Sequence, residues 1–420
     1  MGNESSLKKE LFPGEPVYGY RGAMLDVSRH FFGADAVRRL LDVMYRLRLN
    51  KFHWHFADDQ GFRIALKDYP KLEEIAARRS FTDYGGFGKK EFRDNTPYAG
   101  VYTEEEVRGI VAYAAERGIE VIPELDMPGH LSAIIAAYPE LSCSGEQIEV
   151  PGTFGVLENT LCIGNDNAMR FMDGLLHTLA DLFSAKTFHL GFDEVLLTHL
   201  ETCPKCQSKM RELGTDRVED LKLYAKNFFR DSLKKRNIKA ILYNDGMEET
   251  DASVICYHWD DRDKLREKTV QRINEGQQTI IANCGYFYMD YPYVWTPLKK
   301  SYQFNPVLEG VAKPENIIGV EAPLWTESVK SYSKLAFNTY YRLAALAEIG
   351  WFGEKRRPYD EFMKHLYENE AYFFGEKLNI PDHILNPDPS RCADMKNKWL
   401  MEDMDCEFND AKKILPALPA

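Results

Sequence analysis

Two adjacent carboxylates, Asp193 and Glu194, end an apolar run that begins near His189. In a partly buried pocket, one such carboxylate raises the pKa of the other, because two like charges lie close together. A carboxyl group that stays protonated near neutral pH can donate a proton to a leaving oxygen. The pair therefore indicates acid–base chemistry. A solvated loop pair, or a helix N-terminus where acidic residues are favoured, is the alternative.

Aromatic side chains recur at or just after the ends of the predicted strands: Trp259, Tyr286, Tyr288, Trp295 and Trp325. Flat apolar rings beside carboxylates and an arginine suit a sugar, which has apolar faces and hydroxyl edges. The polar partners expected beside these rings are Arg21, Asp290 and Glu327. Several such rings from different strand ends predict an aromatic pocket with polar edges.

Histidines offer a different interpretation. His53 and His55 alternate on one predicted strand, so both side chains face the same way. They could hold a catalytic metal together with His130, His189, Asp58 or Asp126. Trp54 and Phe56 are interleaved with them, and each histidine has an acidic residue nearby that could orient it. Structural histidines and a metal-dependent barrel hydrolase both remain open at this point.

Strand-like and helix-like patterns alternate almost from the start of the chain. Strands are expected at Tyr18–Val27, Lys51–Phe56, Ile119–Leu125, Thr187–Glu194, Lys239–Tyr243, Ser253–Trp259, Thr279–Asn283 and Ile317–Trp325. Helices are expected at 34–48, 104–117, 167–183, 216–236, 262–276 and 334–348. This alternation predicts parallel strands with helices outside them. Eight strands favour an α/β fold of the closed (β/α)8 TIM-barrel type, and an open doubly wound sheet is the alternative.

Three long segments interrupt the alternation, at 57–103, 128–166 and 284–316. Each follows a predicted strand, so in a barrel each would lie on the C-terminal face, where barrel enzymes build their sites. We expect the barrel to occupy residues 1–355 and a C-terminal helical extension to occupy 356–420.

Composition excludes several classes of protein. Lys and Arg number 53 and Asp and Glu 65, so the formal net charge is −12, which argues against a nucleic-acid partner. The chain has no apolar run of about 18 residues, so we expect no membrane-spanning helix. Its polar start lacks the apolar stretch of a secretory signal, which favours a cytoplasmic location.

The eight cysteines are too sparse for a disulfide scaffold in a chain of 420 residues. They contain one tight pair, Cys203 and Cys206. A zinc ribbon would need a second such pair, and the sequence has none. The pattern favours two reduced thiols on a loop or at a helix start, with a local disulfide or adventitious metal as the alternatives.

Taken together, the motifs resemble family 20 of the glycoside hydrolases, the exo-acting β-N-acetylhexosaminidases. The matching segments are, in chain order, the Arg21–Arg29 run, the His53–Arg63 run, Asp126–His130, His189–Glu194, Tyr288–Asp290 and Trp325–Glu327. The resemblance covers about residues 17 to 352. One departure is Phe192, which replaces the second glycine usual before the Asp-Glu pair.

The resemblance implies a role for each matched residue. Glu194 would act as general acid and then base, while Asp193 and Tyr288 would orient the acetamido group of the substrate. Arg21, Asp290 and Glu327 would bind sugar hydroxyls. Trp259 and Trp325 would form pocket walls. His130 and Asp126 would support the catalytic pair.

The implied reaction releases terminal β-linked GlcNAc or GalNAc from an oligosaccharide or glycoconjugate with retention of configuration. This family is a substrate-assisted exception to the two-carboxylate scheme, with the acetamido oxygen as nucleophile. The resemblance implies no cofactor and no metal for the reaction. A metal-dependent hydrolase and a non-catalytic sugar-binding relative are the alternatives, although Asp193, Glu194 and Tyr288 favour the enzyme.

Overall fold

A computed structural model describes residues 11–84 and 92–388. Eight parallel strands form a closed barrel in which strands that are consecutive in the chain pair with each other, and the first strand pairs with the eighth. The strands are β1 Tyr20–Asp26, β2 Lys51–His55, β3 Glu120–Met127, β4 Thr187–Gly191, β5 Lys239–Tyr243, β6 Val254–His258, β7 Thr279–Ile281 and β8 Ile317–Leu324. The predicted (β/α)8 barrel is therefore confirmed, and each predicted strand is present.

The helices lie outside the barrel or in its loops. They are α1 Ala34–Arg46, α2 Glu104–Ala115, α3 Ser132–Ala137, α4 Asp166–Leu182, α5 Thr198–Thr202, α6 Pro204–Leu213, α7 Glu219–Lys235, α8 Asp263–Asn274, α9 Cys284–Phe287, α10 Leu298–Gln303, α11 Tyr332–Phe352, α12 Tyr359–Phe374 and α13 Asp382–Leu385. The six predicted helices are present as α1, α2, α4, α7, α8 and α11, the last of which follows β8. Most of the others lie in the long loops and are short. They have too few turns for a helical hydrophobic pattern to be recognised in the sequence.

Local sequence explains where these helices begin and which face they bury. In α1, Val37, Leu40, Leu41 and Met44 have the spacing of one helix face, and all four are buried. Thr103 caps α2: its side chain accepts from the Glu106 backbone N–H, while the Glu106 side chain accepts from the Thr103 N–H. Such reciprocal bonds satisfy two of the N–H groups that a helix start leaves unpaired.

The long segment after β2 contains three small antiparallel strand pairs. They join 57–58 to 61–62, 78–79 to 98–99, and 82–84 to 92–94. This segment starts at the C-terminal end of β2, so it extends the same face of the barrel on which the site is built.

Carboxylates and imidazoles fill the middle of the barrel. Glu321 on β8 accepts hydrogen bonds from the hydroxyls of Tyr20 and Tyr257, the latter at 2.8 Å, and its Oε1 lies 2.8 Å from His53 Nδ1. Glu124 on β3 lies 3.0 Å from His53 Nε2 and also contacts His55 Nδ1. The histidines considered as metal ligands therefore face carboxylates within the barrel.

Two segments of the chain lie outside the alternating strands and helices of the barrel, one before β1 and one after α11. Phe12, before β1, packs its ring against Trp351 and Phe352 on α11 and against Phe373 on α12. Residues 356–388 of the expected C-terminal extension form α12 and α13, and 389–420 lie outside the described residues. Within the described part of the chain, no helix is both long enough and apolar enough to span a bilayer.

Candidate active site

The end of β4 presents Asp193 and Glu194 on a strained stretch of backbone. Gly191, Phe192 and Glu194 all have positive φ, at 71°, 72° and 49°. These left-handed conformations end the strand at Gly191, three residues before its predicted end. A β-carbon at Gly191 would lie 1.7 Å from Asp126 Oδ1, so only glycine fits there. Strain of this kind is concentrated at functional sites, where the surrounding structure holds it in place.

Asp193 is buried and shares a hydrogen bond with Asp126 at the end of β3. Burial and the Asp193 charge hold the pKa of Asp126 well above its usual range, so Asp126 carries a proton that it can donate to Asp193. Burial and the nearby Asp245 and Glu194 carboxylates raise the pKa of Asp193 to about 7, although His130 and the bond from Asp126 oppose the shift. Asp193 is therefore a buried acceptor that can be charged or neutral near pH 7.

Glu194 lies at the mouth of the site, with 34 % of its side chain exposed. Its Oε2 is 3.6 Å from His130 Nε2, and its backbone N–H donates to Asp245 Oδ2 at 3.0 Å. His130 Nδ1 in turn lies 3.2 Å from Asp58 Oδ1. Burial would lower the His130 pKa, but Asp58 outweighs it and holds that pKa well above its usual range. Glu194 thus faces a charged imidazole that a buried carboxylate orients.

Asp245 is a member of the site that the sequence analysis did not identify. It follows β5, and its Oδ1 accepts a hydrogen bond of 2.9 Å from Trp259 Nε1 while its Oδ2 holds the Glu194 backbone. Asp245 therefore links Trp259 to the backbone of Glu194. Its signal was available, since it is an acidic residue directly after a predicted strand.

Three aromatic rings form the wall of the pocket. Tyr288 lies between two tryptophans, with its ring centroid 6.2 Å from that of Trp259 and 6.2 Å from that of Trp325. Burial holds the Tyr288 pKa well above its usual range, so its hydroxyl keeps its proton and can donate a hydrogen bond. These three predicted residues are brought together, and Tyr291, which the sequence analysis did not select, extends the wall 5.7 Å from Tyr288.

The remaining two predicted aromatics lie farther out. Trp295 packs edge-on against Tyr291 at 5.9 Å. Tyr286 packs on Phe304 at 4.2 Å, and the ammonium of Lys300 lies over its ring. The structure therefore places Trp295 against Tyr291, which in turn packs on Tyr288, and places Tyr286 against Phe304.

Asp290 and Glu327 lie close enough for their charges to interact. Burial and the nearby Glu327 charge raise the Asp290 pKa well above its usual range, and burial likewise raises the pKa of Glu327. Asp290 Oδ1 is buried with no hydrogen-bond partner among the described residues. The loop that carries Asp290 is held from behind by Arg342 on α11, which donates to the carbonyls of Met289 and Tyr291 at 2.6 and 2.8 Å.

The arginine at this site is Arg29 and not Arg21. Arg29 follows β1, lies 2.8 Å from Asp58 Oδ2 and places its guanidinium 5.0 Å from the centroid of the Trp325 ring. Although burial opposes its charge, Asp58, Asp26 and Glu327 hold the Arg29 pKa well above its usual range.

Placing Arg21 in the pocket was wrong for two geometric reasons. Arg21 is the second residue of β1, so it lies near the N-terminal end of the strand. Strand alternation points Tyr20 into the barrel and Arg21 out of it. Outside, the Arg21 guanidinium donates to the carbonyls of Tyr18 and Arg48 at 2.7 and 2.9 Å and lies 5.2 Å from the Trp351 ring centroid.

The described pocket therefore combines four kinds of group. A half-exposed carboxyl group at the mouth can exchange protons with a bound molecule. A buried acceptor, Asp193, and a buried donor, Tyr288, can hold a polar substituent. The rings of Trp259 and Trp325 can cover apolar faces, and Arg29, Asp290 and Glu327 offer polar atoms to hydroxyl groups. This combination suits a small sugar with an amide substituent.

Comparison with known proteins gives the same family as the motifs. The sequence model of the glycosyl hydrolase family 20 catalytic domain matches residues 18–354. A beta-hexosaminidase of Porphyromonas gingivalis W83 is 32 % identical over 369 residues, which span 84 % of this chain and 45 % of that protein. A beta-hexosaminidase of Akkermansia muciniphila is 32 % identical over 376 residues, 85 % of this chain and 73 % of that protein. The chain thus spans less than half the length of the Porphyromonas protein.

Solved structures agree. The crystal structure of a beta-N-acetylhexosaminidase superposes with a TM-score of 0.78 at 29 % identity, over 87 % of this chain and 79 % of that one. A GH20 exo-beta-N-acetylglucosaminidase from Vibrio harveyi, in complex with N-acetylglucosamine, gives 0.75 at 27 % identity, over 89 % of this chain and 60 % of that one. With the family model covering most of its length and the barrel superposing on these structures, the chain belongs to glycosyl hydrolase family 20.

Proposed function

We propose that this protein is an exo-acting, retaining β-N-acetylhexosaminidase that releases terminal, non-reducing β-linked GlcNAc or GalNAc. The observation that carries the proposal is the asymmetry of the carboxylate pair: Asp193 is buried against Asp126, whereas Glu194 lies half exposed at the mouth. Two carboxylates on opposite faces of a glycosidic bond, as in ordinary retaining enzymes, would need about 5–5.5 Å between them across the sugar. Adjacent residues with such different surroundings suit two different tasks.

Glu194 is proposed as the acid and then the base. Its carboxyl proton passes to the glycosidic oxygen as the bond to the anomeric carbon breaks. The carboxylate then takes a proton from the water that opens the cyclised intermediate. Both transfers occur on the same side of the sugar, so one group at the pocket mouth can perform them.

The nucleophile is proposed to be the substrate's own acetamido oxygen. It forms a bond with the anomeric carbon and gives an oxazolinium ion, which water opens with retention. The Asp193 carboxylate accepts the acetamido N–H, and the Tyr288 hydroxyl donates to the acetamido oxygen. An intramolecular attack gains a high effective molarity when the reacting groups are held in this way.

Hydroxyl recognition is proposed for Arg29, Asp290 and Glu327. The guanidinium of Arg29 lies over the Trp325 ring and interacts electrostatically with Glu327. Asp290 has a buried oxygen that can accept a hydrogen bond from a bound hydroxyl group. Such a set of polar atoms beside the aromatic rings suits the terminal residue of an N-acetylhexosamine-capped glycan. An N-acetylhexosamine-terminated oligosaccharide or glycoconjugate is therefore the proposed substrate.

The experiment that tests this function compares two carboxylate variants. Glu194→Gln should lose about 10²–10⁴-fold in kcat while retaining affinity for substrate, and poor leaving groups should lose more than activated ones. A thiazoline analogue of the cyclised sugar should inhibit the wild type far more tightly than substrate binds, and Asp193→Ala should lose most of that advantage. A covalent ester trapped on an Asp or Glu by a fluorinated glycoside would contradict substrate assistance. Absence of turnover of any chromogenic N-acetylhexosaminide would favour a binding protein instead.

A further inference from the structure

Four cysteines that are far apart in sequence meet beside the barrel. Cys143 and Cys162 lie in the long segment between β3 and α4, and Cys203 and Cys206 lie just after α5 and within α6. Their four sulfur atoms all lie within 4.8 Å of one another. Cys162, Cys203 and Cys206 are buried and Cys143 is partly buried, so the cluster is largely shielded from solvent.

The distances between the sulfurs describe one centre rather than two pairs. Cys162 Sγ lies 3.7 Å from Cys203 Sγ and 3.9 Å from Cys206 Sγ, and Cys206 Sγ lies a further 3.9 Å from Cys143 Sγ. Four thiolates bound to one zinc ion at about 2.3 Å in a tetrahedron would be about 3.8 Å apart. Cys162 and Cys206 each have two sulfur neighbours at this distance, whereas a disulfide would join each sulfur to one partner.

The backbone around the cluster is shaped to bring the sulfurs together. Cys203 is the residue before α6, Pro204 begins that helix, and Cys206 lies in its first turn. The backbone N–H of Gly164 donates to Cys206 Sγ at 3.4 Å. A β-carbon at Gly164 would lie 2.3 Å from the Cys206 nitrogen, so glycine permits the loop to approach the helix start this closely. Hydrogen bonds to ligand sulfurs are typical of the surroundings of a metal centre.

We propose that Cys143, Cys162, Cys203 and Cys206 bind a structural zinc ion. Four thiolates select a soft or borderline-soft metal, and four-coordinate tetrahedral geometry with sulfur ligands is the preference of structural zinc. All four positions of the tetrahedron come from protein, so this ion has no open position for substrate. It is separate from the sugar pocket, which uses none of these cysteines.

The ion joins two loops that each carry part of the catalytic site. The segment with Cys143 and Cys162 starts at Pro128 next to His130, and it folds back on itself, since the Leu161 N–H donates to the Pro128 carbonyl at 2.8 Å. The segment with Cys203 and Cys206 starts at Asp193 and Glu194. A contact of 3.4 Å between Glu158 Oε2 and His199 Nε2 joins the same two loops at the surface. Zinc would therefore fix His130 relative to Glu194.

The cluster contains two cysteines that the sequence analysis did not connect with Cys203 and Cys206. The sequence offers one Cys-x-x-Cys pair, and the absence of a second pair argued against zinc. In the structure the other two ligands are 19 positions apart, and the hairpin-like bridge between Ser142 and Leu161 brings them together. The favoured interpretation, two reduced thiols at a helix start, covers only Cys203 and Cys206, which are half of the cluster.

The test begins with elemental analysis of the intact protein, purified under reducing conditions without chelator. We expect one zinc per chain, retained on gel filtration, and released when a mercurial reagent has titrated the four cluster thiols. Replacing zinc by Co²⁺ should give the intense thiolate-to-cobalt charge-transfer bands of tetrahedral sulfur coordination. Absence of stoichiometric zinc, even after incubation of the reduced protein with Zn²⁺, would overturn the proposal.

Variants separate the cluster from other thiols. Cys206→Ser should lose the zinc and lower the melting temperature, while Cys256→Ser should keep the zinc, since Cys256 is equally buried but lies in β6 outside the cluster. If Cys206→Ser does not fold, the mercurial titration of the wild type still decides the point. Peptide mapping of protein prepared without reductant gives a further check. Disulfides that join these four residues, together with no release of metal when they are reduced, would also contradict the zinc site. Failure of this test leaves the glycosidase proposal untouched, because that proposal uses none of these residues.

Discussion

Arg29 and Arg21 lie on opposite sides of the same barrel wall, and their different surroundings predict different kinetics. Arg29→Lys should lower kcat/KM by about 10–100-fold, because hydrogen bonds to a charged group contribute about 1.5–3 kcal/mol and an ammonium cannot reproduce the planar fork. Arg21→Lys is the matched control. It should keep wild-type kinetics, since the Arg21 guanidinium binds carbonyls near α11. Steady-state kinetics on a chromogenic substrate tests both, and a large loss in Arg21→Lys alone would reverse our assignment.

Asp193 predicts a conflict between activity and stability. Its pKa rises in the folded protein from 3.8 to about 7, chiefly through burial. The folded state therefore binds this proton more tightly than the unfolded state does. The resulting stabilisation is complete below the unfolded pKa and is lost as the pH rises through about 7.

Asn cannot ionise, so Asp193→Asn should melt above the wild type at alkaline pH while losing activity, and the difference should shrink towards pH 4. Melting temperatures across this pH range test the sign of the effect. Asp35→Asn is the control, because 92 % of the Asp35 side chain is exposed. A wild type that melts above Asp193→Asn at every pH would contradict the buried, raised-pKa carboxyl.

Sequence could identify acidic and aromatic residues at the site but not which way a side chain points. Asp193, Glu194, Tyr288 and the two tryptophans were recognised because each lies at or just after the end of a predicted strand. Arg21 was selected from a motif that also contains Arg29. The two positions are eight residues apart, so strand alternation alone does not separate them, and what decides is that β1 ends at Asp26, before Arg29. Asp245 also follows a predicted strand, but its contacts with Glu194 and Trp259, which follow two other strands, could not be read from that position.

At the level of elements, the turn after β4 depends on the turn after β5. A β-carbon at Gly246 would lie 2.5 Å from the Phe192 carbonyl oxygen, immediately before Asp193. Gly246→Ala should therefore displace the catalytic pair and lower kcat strongly. Gly129→Ala is the matched control, because its new β-carbon would meet the Asp193 carbonyl at an ordinary 3.6 Å. Kinetics of both variants test the prediction, and equal kcat values would show that the turn tolerates the displacement.

Strands could be predicted from sequence because each is a compact apolar run, and their order follows from right-handed strand–helix–strand connections. Two features of the elements could not be predicted from sequence. The end of β4 at Gly191 depends on positive φ at Phe192, and a phenylalanine in the sequence does not indicate this conformation. The cluster of Cys143 and Cys162 with α6 depends on how a loop of irregular structure folds back, which no local pattern encodes.

At the scale of the whole molecule, the segment before β1 packs against the last two long helices, α11 and α12. Phe12 packs against aromatic rings of α11 and α12, and the Trp351 indole N–H donates to the Pro13 carbonyl at 2.9 Å. Phe12→Ala should lower the free energy of unfolding by roughly 3–5 kcal/mol. Its kinetic constants should stay at wild-type values, since the pocket lies at the other end of the barrel.

Denaturant titration measures this loss of stability. Val17→Ala is the control, because Val17 lies in the same segment and is 58 % exposed. An unfolding free energy within error of the wild type for Phe12→Ala would mean that the segment is not packed as described.

The charged interior of the barrel has a consequence for the alkaline limit of the protein. Burial opposes the charged forms of His53 and His55, but Glu321 and Glu124 outweigh it and raise their pKa values to about 9 and about 10. The stabilisation they provide is complete below the unfolded pKa of histidine and is lost as the pH rises through 9 and 10. Loss of activity at alkaline pH should therefore result from unfolding of the barrel. Its pH dependence should be as steep as a cooperative unfolding transition, whereas titration of one group in the pocket would give a gradual change.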